Sequence, residues 1–512
     1  MTRTQNVKKN LIFNVVKYVA SLVLQFILRT VLIYYMGAEY LGLNGLFTNI
    51  FTFLNLTELG IGSAIVFSMY KPIADGDIEK VKSLQNLYKK IYIVIAIIVG
   101  TIGLGLTPFI TFFMGGGTTI DINIYVLYIM YLACSLIGYF AGHKRSLLFA
   151  YQRNDVENKI STGCMLARTA IQIVILVWFR NYYLYLSMSI LFGIIEGVAI
   201  MVMANKMFPE INGSAKPLDI ATKKEITKNV TALSMHKIGG AVVFSTDNIL
   251  VSTFFGLAIL GVYSNYALIT TTLGSFFALF VSALQASVGN LIASSDTEYV
   301  FERYKKIRFA FSYLTAMTTI CLFVLVQPFI LKWTGSSEYL LELPVVLSIC
   351  LSYYLTRIRT PVGLFKDSAG LFWQDRWKPI IEALVNLGVS IGLAFLMGIN
   401  GIFLGTIASS LAAPIWIEPC VLYKHYFKKS PKKYFLRMIL DFVIMVACGA
   451  ICYFACAIIP DGGIGLLILK FGICFLLSNA LLILAYLPTG DLISSLQYFK
   501  NSILNRSPKN EK

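Results

Sequence analysis

The two halves of this chain repeat each other at a distance of about 219 residues, and both halves are hydrophobic. Gly37 recurs as Gly256, and Leu41-Gly42 recurs as Leu260-Gly261. Further matches follow in the same order: Lys9-Asn10 with Lys228-Asn229, Tyr88–Ile91 with Tyr304–Ile307, and Pro108–Ile110 with Pro328–Ile330. An ordered series of this kind indicates duplication of a structural unit. Duplicated membrane bundles are typical of secondary transporters, whose substrate site lies between the repeats near the bilayer midplane.

The composition indicates that most of the chain is solvated by lipid. Hydrophobic residues make up 57% of it and charged residues only 13%, whereas soluble proteins carry about 25% charged residues. A formal net charge of +17 is also compatible with nucleic-acid binding. However, Lys and Arg are concentrated in connections between apolar runs, which is the pattern of charges that set membrane topology. We therefore predict that the protein is embedded in a lipid bilayer and does not bind nucleic acid.

Fourteen segments are long and apolar enough to cross a bilayer, which takes about 20 residues. The first six lie at 11–36, 43–69, 91–114, 123–142, 160–179 and 185–204. The next six lie at 230–255, 261–287, 309–333, 342–358, 380–397 and 402–422, and a further pair lies at 438–459 and 464–487. The predicted fold is an all-α integral membrane protein with two six-helix repeats and a C-terminal helix pair.

The distribution of positive charge predicts the orientation of these spans. Thirty-six of the 43 Lys and Arg residues lie in eight segments on one predicted side: 1–10, 70–90, 143–159, 205–229, 289–308, 357–379, 422–437 and the C-terminus. Both termini are therefore predicted to be cytoplasmic. Because each repeat has an even number of spans, both repeats are predicted to have the same orientation in the membrane. The predicted domains are a first lobe at 1–204, a connector at 205–229, a second lobe at 230–437, the helix pair at 438–487 and an amphipathic tail at 488–512.

Signatures of enzymes and metal sites are absent from the sequence. No G-x-x-x-x-G-K-[ST] phosphate loop is present, so ATP hydrolysis by that route is excluded. The nine cysteines and the three histidines, His143, His236 and His425, show no metal-ligand spacing. The external loops are short, which disfavours a membrane glycosyltransferase or polymerase. We predict neither enzymatic activity nor a cofactor or metal.

Polar residues on the first helix are the strongest candidates for function. Asn10, Asn14, Lys17, Ser21, Gln25 and Arg29 recur at three- or four-residue spacing and form one stripe. Lipid cannot satisfy such a stripe, so it must face protein or water. Lys17 is close enough to the cytoplasmic end to extend to the surface instead. Arg29 lies deeper, and we expect it to line a cavity.

Further charged and polar residues lie in other predicted spans. The second helix carries Asn55 and Glu58, the fifth carries Arg168, and the seventh carries His236, Lys237 and Asp247. Cations from both halves suit an anionic substrate, and the arginine fork suits phosphate. An alternative is internal pairing of Arg168 with Glu196. The predicted substrate-binding residues are Arg29, Arg168, Lys17, Lys237 and Asn55, and the predicted gating or ion-coupling residues are Asp247, His236 and Glu58.

The repeat also predicts a contact between Arg29 and Asp247. Subtracting 219 from Asp247 gives Leu28, so the two charged residues occupy nearly equivalent depths in the two repeats. A cross-repeat ion pair at this depth would act as a latch between two conformations. The alternative is local pairing of Asp247 with Lys237 or His236. His236 lies three turns away, roughly 16 Å along the axis, which is too far for a direct bond.

Five short motifs carry a family resemblance: Met36–Leu43, Glu58–Ile65, Tyr70-Lys71-Pro72, Thr246-Asp247-Asn248 and Gly261–Ser264. They resemble motifs of polysaccharide exporters of the Wzx flippase type, within the multidrug/oligosaccharidyl-lipid/polysaccharide (MOP) flippase superfamily. The resemblance implies a two-lobed bundle with a central cavity that alternates between inward-open and outward-open states. It implies as cargo an oligosaccharide repeat unit on undecaprenyl pyrophosphate, in a bacterial cytoplasmic membrane. A polysaccharide polymerase and glycosyltransferases are the implied partners.

The resemblance also implies roles for charged cavity residues. Arg29 matches the basic position that the related lipid II flippases place on the first helix. The seventh helix departs from a simple cationic pattern, because Asp247 accompanies Lys237. The main alternative is a cation-coupled extruder of drugs or metabolites on the same fold. Extruders of cationic drugs often use acidic cavities, whereas the predicted intramembrane charges of this chain are more basic than acidic.

Overall fold

The computed structural model describes the backbone of residues 3–55, 61–115, 118–213, 218, 220–460, 462–495 and 497. It describes the side chains of these residues except 3–16, 61–64, 220–245 and 286. Within this part of the chain, all regular secondary structure is helical. The chain divides into two compact units, Met1–Gly261 and Val262–Lys512. The lobe, connector and tail boundaries given above stay predictions.

The first unit is built from eight helices and the beginning of a ninth. They are α1 (Arg3–Met36), α2 (Ala38–Leu54), α3 (Ile61–Asp75), α4 (Ile78–Leu106), α5 (Ile110–Phe113), α6 (Ile124–Ala150), α7 (Asn154–Val174), α8 (Tyr182–Met207) and α9 (Ile220–Ser294). α7 continues into a π-helical turn, Ile175–Phe179. α9 is interrupted at Gly256, whose φ of 82° is not helical.

The second unit contains the remainder of α9 and eight further helices. They are α10 (Thr297–Thr334), α11 (Leu343–Ile358), α12 (Thr360–Ser368), α13 (Lys378–Met397), α14 (Ile399–Ala412), α15 (Pro414–Val421), α16 (Lys432–Ala457) and α17 (Ile464–Tyr486). α16 and α17 correspond to the predicted C-terminal helix pair, and both pack against α10.

The helices account for all fourteen predicted spans. Within the described residues, eleven helical segments are long and apolar enough to cross a membrane. One of them, at 246–294, contains the interruption at Gly256, so it includes the end of the seventh predicted span and all of the eighth, both of which belong to α9. The second predicted span falls on α2 and α3, and the tenth falls on the 16-residue α11. The all-α membrane fold predicted from hydropathy is confirmed.

Repeat-related glycines have the same backbone conformation. Gly37 has φ 87° and ψ −177°, and Gly256 has φ 82° and ψ 174°. A positive φ is strained for residues with a Cβ atom, so glycine suits both positions. Each glycine separates a long helix from the next helical segment: α1 ends before Gly37, and α9 is broken at Gly256. The duplicated sequence therefore produces the same interruption twice.

A second pair of repeat-related glycines allows two helices to touch through their backbones. A Cβ atom placed on Gly42 would lie 1.9 Å from the carbonyl oxygen of Leu257. A Cβ atom placed on Gly261 would lie 1.9 Å from the carbonyl oxygen of Ala38. Ala38 and Leu257 are themselves separated by 219 residues, so the contact is self-complementary, as expected about a two-fold axis. Small residues at such crossings let membrane helices approach closely.

Buried charged residues hold the C-terminal helix pair against α10. Arg308 on α10 donates from Nη1 to Oδ2 of Asp441 on α16, at 3.0 Å, and both side chains are buried. The hydroxyl group of Tyr486, on α17, donates to Oδ1 of the same carboxylate at 3.2 Å. An apolar core surrounds these groups and includes the buried thiols of Cys448 and Cys452. One carboxylate thus connects all three helices.

We predict that Gly42→Ala lowers the stability of the protein, because a methyl group cannot fit beside the Leu257 carbonyl. Overpacking of this kind costs about 1–3 kcal/mol. The measurement is thermal unfolding of the purified protein in detergent. Gly45→Ala is the matched control on the same helix, since its new methyl group would lie 3.8 Å from the flexible side chain of Leu260. Equal midpoints for the two variants would contradict the backbone contact.

We also predict that Asp441→Leu destabilises the helix pair by about 3–5 kcal/mol, because it leaves Arg308 buried without its carboxylate. The double variant Arg308→Met/Asp441→Leu should recover most of this loss. Glu302→Gln, which removes an exposed i,i+3 pair with Lys305 on α10, serves as the control and should change the unfolding midpoint little. A double variant as unstable as Asp441→Leu would show that the pair is not the stabilising contact.

Candidate functional site

Lys17 forms an ion pair within the first unit. Its Nζ lies 3.2 Å from Oε1 of Glu157, in the first turn of α7. Both side chains are partly exposed, and such pairs typically contribute about 0–1 kcal/mol to stability. The sequence pattern did not single out Glu157, whose signal is its place in the acidic first turn of α7. Glu157 lies at the predicted cytoplasmic end of α7, whereas Lys17 lies several turns into α1, which begins at Arg3.

Arg29 and Arg168 lie at the same depth on neighbouring helices. α1 and α7 pack against each other, and both begin on the predicted cytoplasmic side. Arg29 follows Lys17 by 12 residues, and Arg168 follows Glu157 by 11. At 1.5 Å per residue, both arginines lie roughly 17–18 Å beyond the ion pair. Their side chains are partly buried.

The alternative pairing of Arg168 with Glu196 does not form. Oε1 of Glu196 instead accepts a hydrogen bond from Nη2 of Arg145 at 2.7 Å. Arg168 has no ion pair with any described residue, and its Nε is buried without a hydrogen-bond partner among them. The sequence assigns Arg145 to the basic 143–159 connection and does not predict this pairing. Arg168 is therefore a membrane-embedded cation without an acidic partner in the described part of the chain.

Neighbouring contacts hold the α7 segment that carries Arg168 in place. Nε2 of Gln172, one turn further along, donates to the carbonyl oxygen of Tyr185 at 3.0 Å and to Oγ of Ser189 at 2.9 Å. Gln172 is buried, so these bonds join α7 to α8 inside the bundle. At the outer end, the guanidinium group of Arg180 lies 5.6 Å from the centre of the Tyr35 ring. α1 and α7 thus remain side by side beyond the two arginines.

Asn55 lies at the end of α2 and connects it to α6. Its Oδ1 accepts hydrogen bonds from the Tyr139 hydroxyl at 2.5 Å and from Ser135 Oγ at 3.2 Å. These bonds give Asn55 a structural role within the first unit. Its predicted contact with substrate stays a prediction.

The predicted coupling residues are described only in part. Asp247 is buried on α9. Glu58 lies outside the described residues, and so do the side chains of His236 and Lys237, although their backbone is helical in α9. Among the described residues, no group of three or more His, Cys, Asp or Glu side chains is placed to hold a metal ion. The roles of Asp247, His236 and Glu58 stay predictions.

The sequence matches no family model and no curated protein. Solved structures, in contrast, are similar over most of their length. The lipid II flippase MurJ in its inward closed conformation superposes with a TM-score of 0.66 at 14% identity, covering 94% of this chain and 99% of MurJ.

Multidrug transporters are also similar in structure. An inward-facing multidrug resistance MATE transporter has a TM-score of 0.57 at 15% identity. The alignment covers 76% of this chain and 91% of the MATE transporter. A MOP-superfamily transporter from Pyrococcus furiosus has a TM-score of 0.51 at 14% identity, with coverage of 83% and 97%. At these identities the similarity shows the fold alone, which this chain shares with the lipid II flippase and with these transporters.

Proposed function

We propose that this protein is a flippase that moves a lipid-linked oligosaccharide across the membrane by alternating access. The proposed cargo carries its oligosaccharide on undecaprenyl pyrophosphate, in the cytoplasmic membrane of a bacterium. Structural similarity to a lipid II flippase over 94% of the chain supports the choice of a lipid-linked cargo. The bound anion would be the pyrophosphate, the charged group of this carrier at the boundary between lipid and sugar.

The observation that carries this proposal is the environment of Arg168. A charged side chain at the centre of a membrane helix costs about 2.5–3.5 kcal/mol on insertion scales. Such a cost is offset when the charge is paired, yet no described carboxylate pairs with Arg168. An anionic ligand would supply the missing partner, and the planar fork of arginine matches two phosphate oxygens at once.

Arg29 strengthens the case because it lies at the depth of Arg168 on the adjacent helix. A multiply charged anion in this layer of the membrane would be attracted by both guanidinium groups. In the proposed mechanism, the Lys17 and Lys237 ammonium groups and Asn55 contact the cargo elsewhere along its path. A polysaccharide polymerase and glycosyltransferases are the proposed partners that consume and supply the cargo.

The second candidate is a cation-coupled extruder of drugs or metabolites. Asp247 favours this candidate, because a buried carboxylate on a membrane helix is suited to carrying a proton or binding a cation. Similarity to a MATE transporter adds support at the level of the fold. The two candidates differ in the charge of the transported molecule, so transport assays with defined cargo separate them.

We predict that Arg168→Ala lowers flipping at least ten-fold, because a hydrogen bond to a charged group is worth about 1.5–3 kcal/mol. The assay uses full-length protein in liposomes with a fluorescent lipid-pyrophosphate oligosaccharide and a membrane-impermeant quencher. Arg168→Lys should recover part of the rate, since the charge returns without the fork. Arg180→Ala is the matched control, because it removes an exposed arginine from the outer end of the same helix.

Equal rates for the Arg168→Ala and Arg180→Ala variants would rule out Arg168 as the anion site. Export of a cationic dye with no flipping of the lipid cargo would instead identify the extruder.

We further predict a functional pairing of Arg29 and Asp247 in one conformational state. Arg29→Asp and Asp247→Arg should each abolish flipping, because each places two like charges at equivalent depths of the two repeats. The double exchange restores opposite charges and should recover part of the rate in the same liposome assay. A double variant no more active than either single variant would remove the latch and leave both residues with separate roles.

A further inference from the structure

A cavity of about 830 Å³ lies between α4, α6 and the end of α8 in the first unit. Its polar end is formed by side chains near the predicted cytoplasmic surface, including Gln85, Asn86, Lys89, Lys144, Asn205 and Asn212. Its other end is apolar. Neither Arg29 nor Arg168 lines this cavity, so it is distinct from the candidate site for the transported anion.

The apolar wall of the cavity continues from its polar end into the membrane. Ile93 and Ile97 follow Lys89 by one and two turns of α4, which places them on the same face and about 6 and 12 Å deeper. Their side chains are 51% and 62% exposed. Phe140 on α6 forms the opposite wall and is 59% exposed. A hydrocarbon chain beside the protein would therefore contact the same cavity as a head group at its polar end.

The polar end carries positive charge without a described counter-charge. Nζ of Lys144 is held at 2.8 Å from Oδ1 of Asn212, which fixes the amine without neutralising it. Neither Lys89 nor Lys144 forms an ion pair with a described residue, and the described lining contains no Asp or Glu. Basic pockets between membrane helices on the cytoplasmic side recognise anionic lipid head groups.

Gln85 supplies a second, independent sign of a ligand. Its side chain is only 3% exposed, and its Nε2 donates to the carbonyl oxygen of His143 at 2.7 Å. Its Oε1 is buried and accepts no hydrogen bond from a described residue. An acceptor left in this state carries a desolvation cost. A hydroxyl group of a bound head group would donate to it.

We propose that this cavity binds an anionic glycerophospholipid of the cytoplasmic leaflet, with its phosphodiester at Lys89 and Lys144. The glycerol hydroxyls of a phosphatidylglycerol head group donate to Gln85, and one acyl chain lies along Ile93 and Ile97. A free phosphate would use the two lysines but leave the apolar wall unexplained. The lipid would be a bound component of the protein, separate from the transported cargo.

The test measures lipid binding by delipidated full-length protein in detergent, by native mass spectrometry and by thermal unfolding. The probes are phosphatidylglycerol, phosphatidylcholine with the same acyl chains, and inorganic phosphate. We expect phosphatidylglycerol to bind at least five-fold more tightly than phosphatidylcholine and to raise the unfolding midpoint. Inorganic phosphate at the same concentration should leave the midpoint unchanged.

Two variants and one control locate the binding site. Lys89→Gln should weaken phosphatidylglycerol binding about five-fold, the effect of about 1 kcal/mol for one lysine near a lipid surface. Lys90→Gln is the matched control, since Lys90 is the next residue, is also exposed and does not line the cavity. Ala96→Phe fills the apolar half without changing charge and should also weaken binding.

Three outcomes would overturn the proposal. The first is equal binding of the two lipids, and the second is equal loss of binding in the Lys89→Gln and Lys90→Gln variants. The third is stabilisation by inorganic phosphate that disappears in Lys89→Gln, which would identify a soluble-anion site. None of these measurements involves flipping, so their results are independent of the proposed transport function.

Discussion

Lipid cannot hydrogen-bond to a buried polar group, and this constraint organises the charges of the whole protein. Every charged side chain inside the bundle must therefore meet an internal partner, reach the membrane surface or meet a ligand. Several such partnerships form in the described part of the chain, among them Lys17 with Glu157, Arg145 with Glu196, and Arg308 with Asp441. Each of these ion pairs joins two helices, so the charges are paired only when the helices of the bundle pack together. Arg168 is informative because it departs from this pattern.

The fold was predictable because apolar runs and the sequence repeat can be recognised without knowing which helices are neighbours. Apolar runs mark the spans, and the recurrence of Gly37 as Gly256 indicates a duplicated unit, whereas the helix breaks at these two glycines are visible only in the structure. Helix ends were predicted less well. α10 begins at Thr297, whereas hydropathy placed its span at 309–333, because a helix continues beyond the bilayer wherever its backbone hydrogen bonds remain satisfied. Hydropathy reports the membrane boundary rather than the end of the helix.

The candidate site was predictable only in its individual residues. Helical periodicity identified the polar stripe of α1, and depth identified Arg168. The partners were not predictable, because pairing depends on which helices are neighbours and in which register they pack. Glu157 illustrates this limit: it lies 140 residues after Lys17 and becomes its partner only when α1 and α7 pack side by side. The backbone contact of Gly42 with Leu257 depends in the same way on the arrangement of distant helices.

The charge balance explains why unpaired cations must exist but not where they lie. With 43 Lys and Arg against 26 Asp and Glu, carboxylates cannot pair one to one with every cation. Membrane topology accounts for the surplus in the basic connections, including Lys89, where water and lipid head groups are available. It does not account for Arg168, which lies too deep for either. A charge that only sets membrane topology needs no cavity beside it. Lys89, in contrast, lines a cavity that also has an apolar wall and contains Gln85, whose buried Oε1 is a hydrogen-bond acceptor. Depth in the membrane at Arg168, and a lined cavity at Lys89, thus distinguish the cations that we propose to bind ligands from those that only orient the chain.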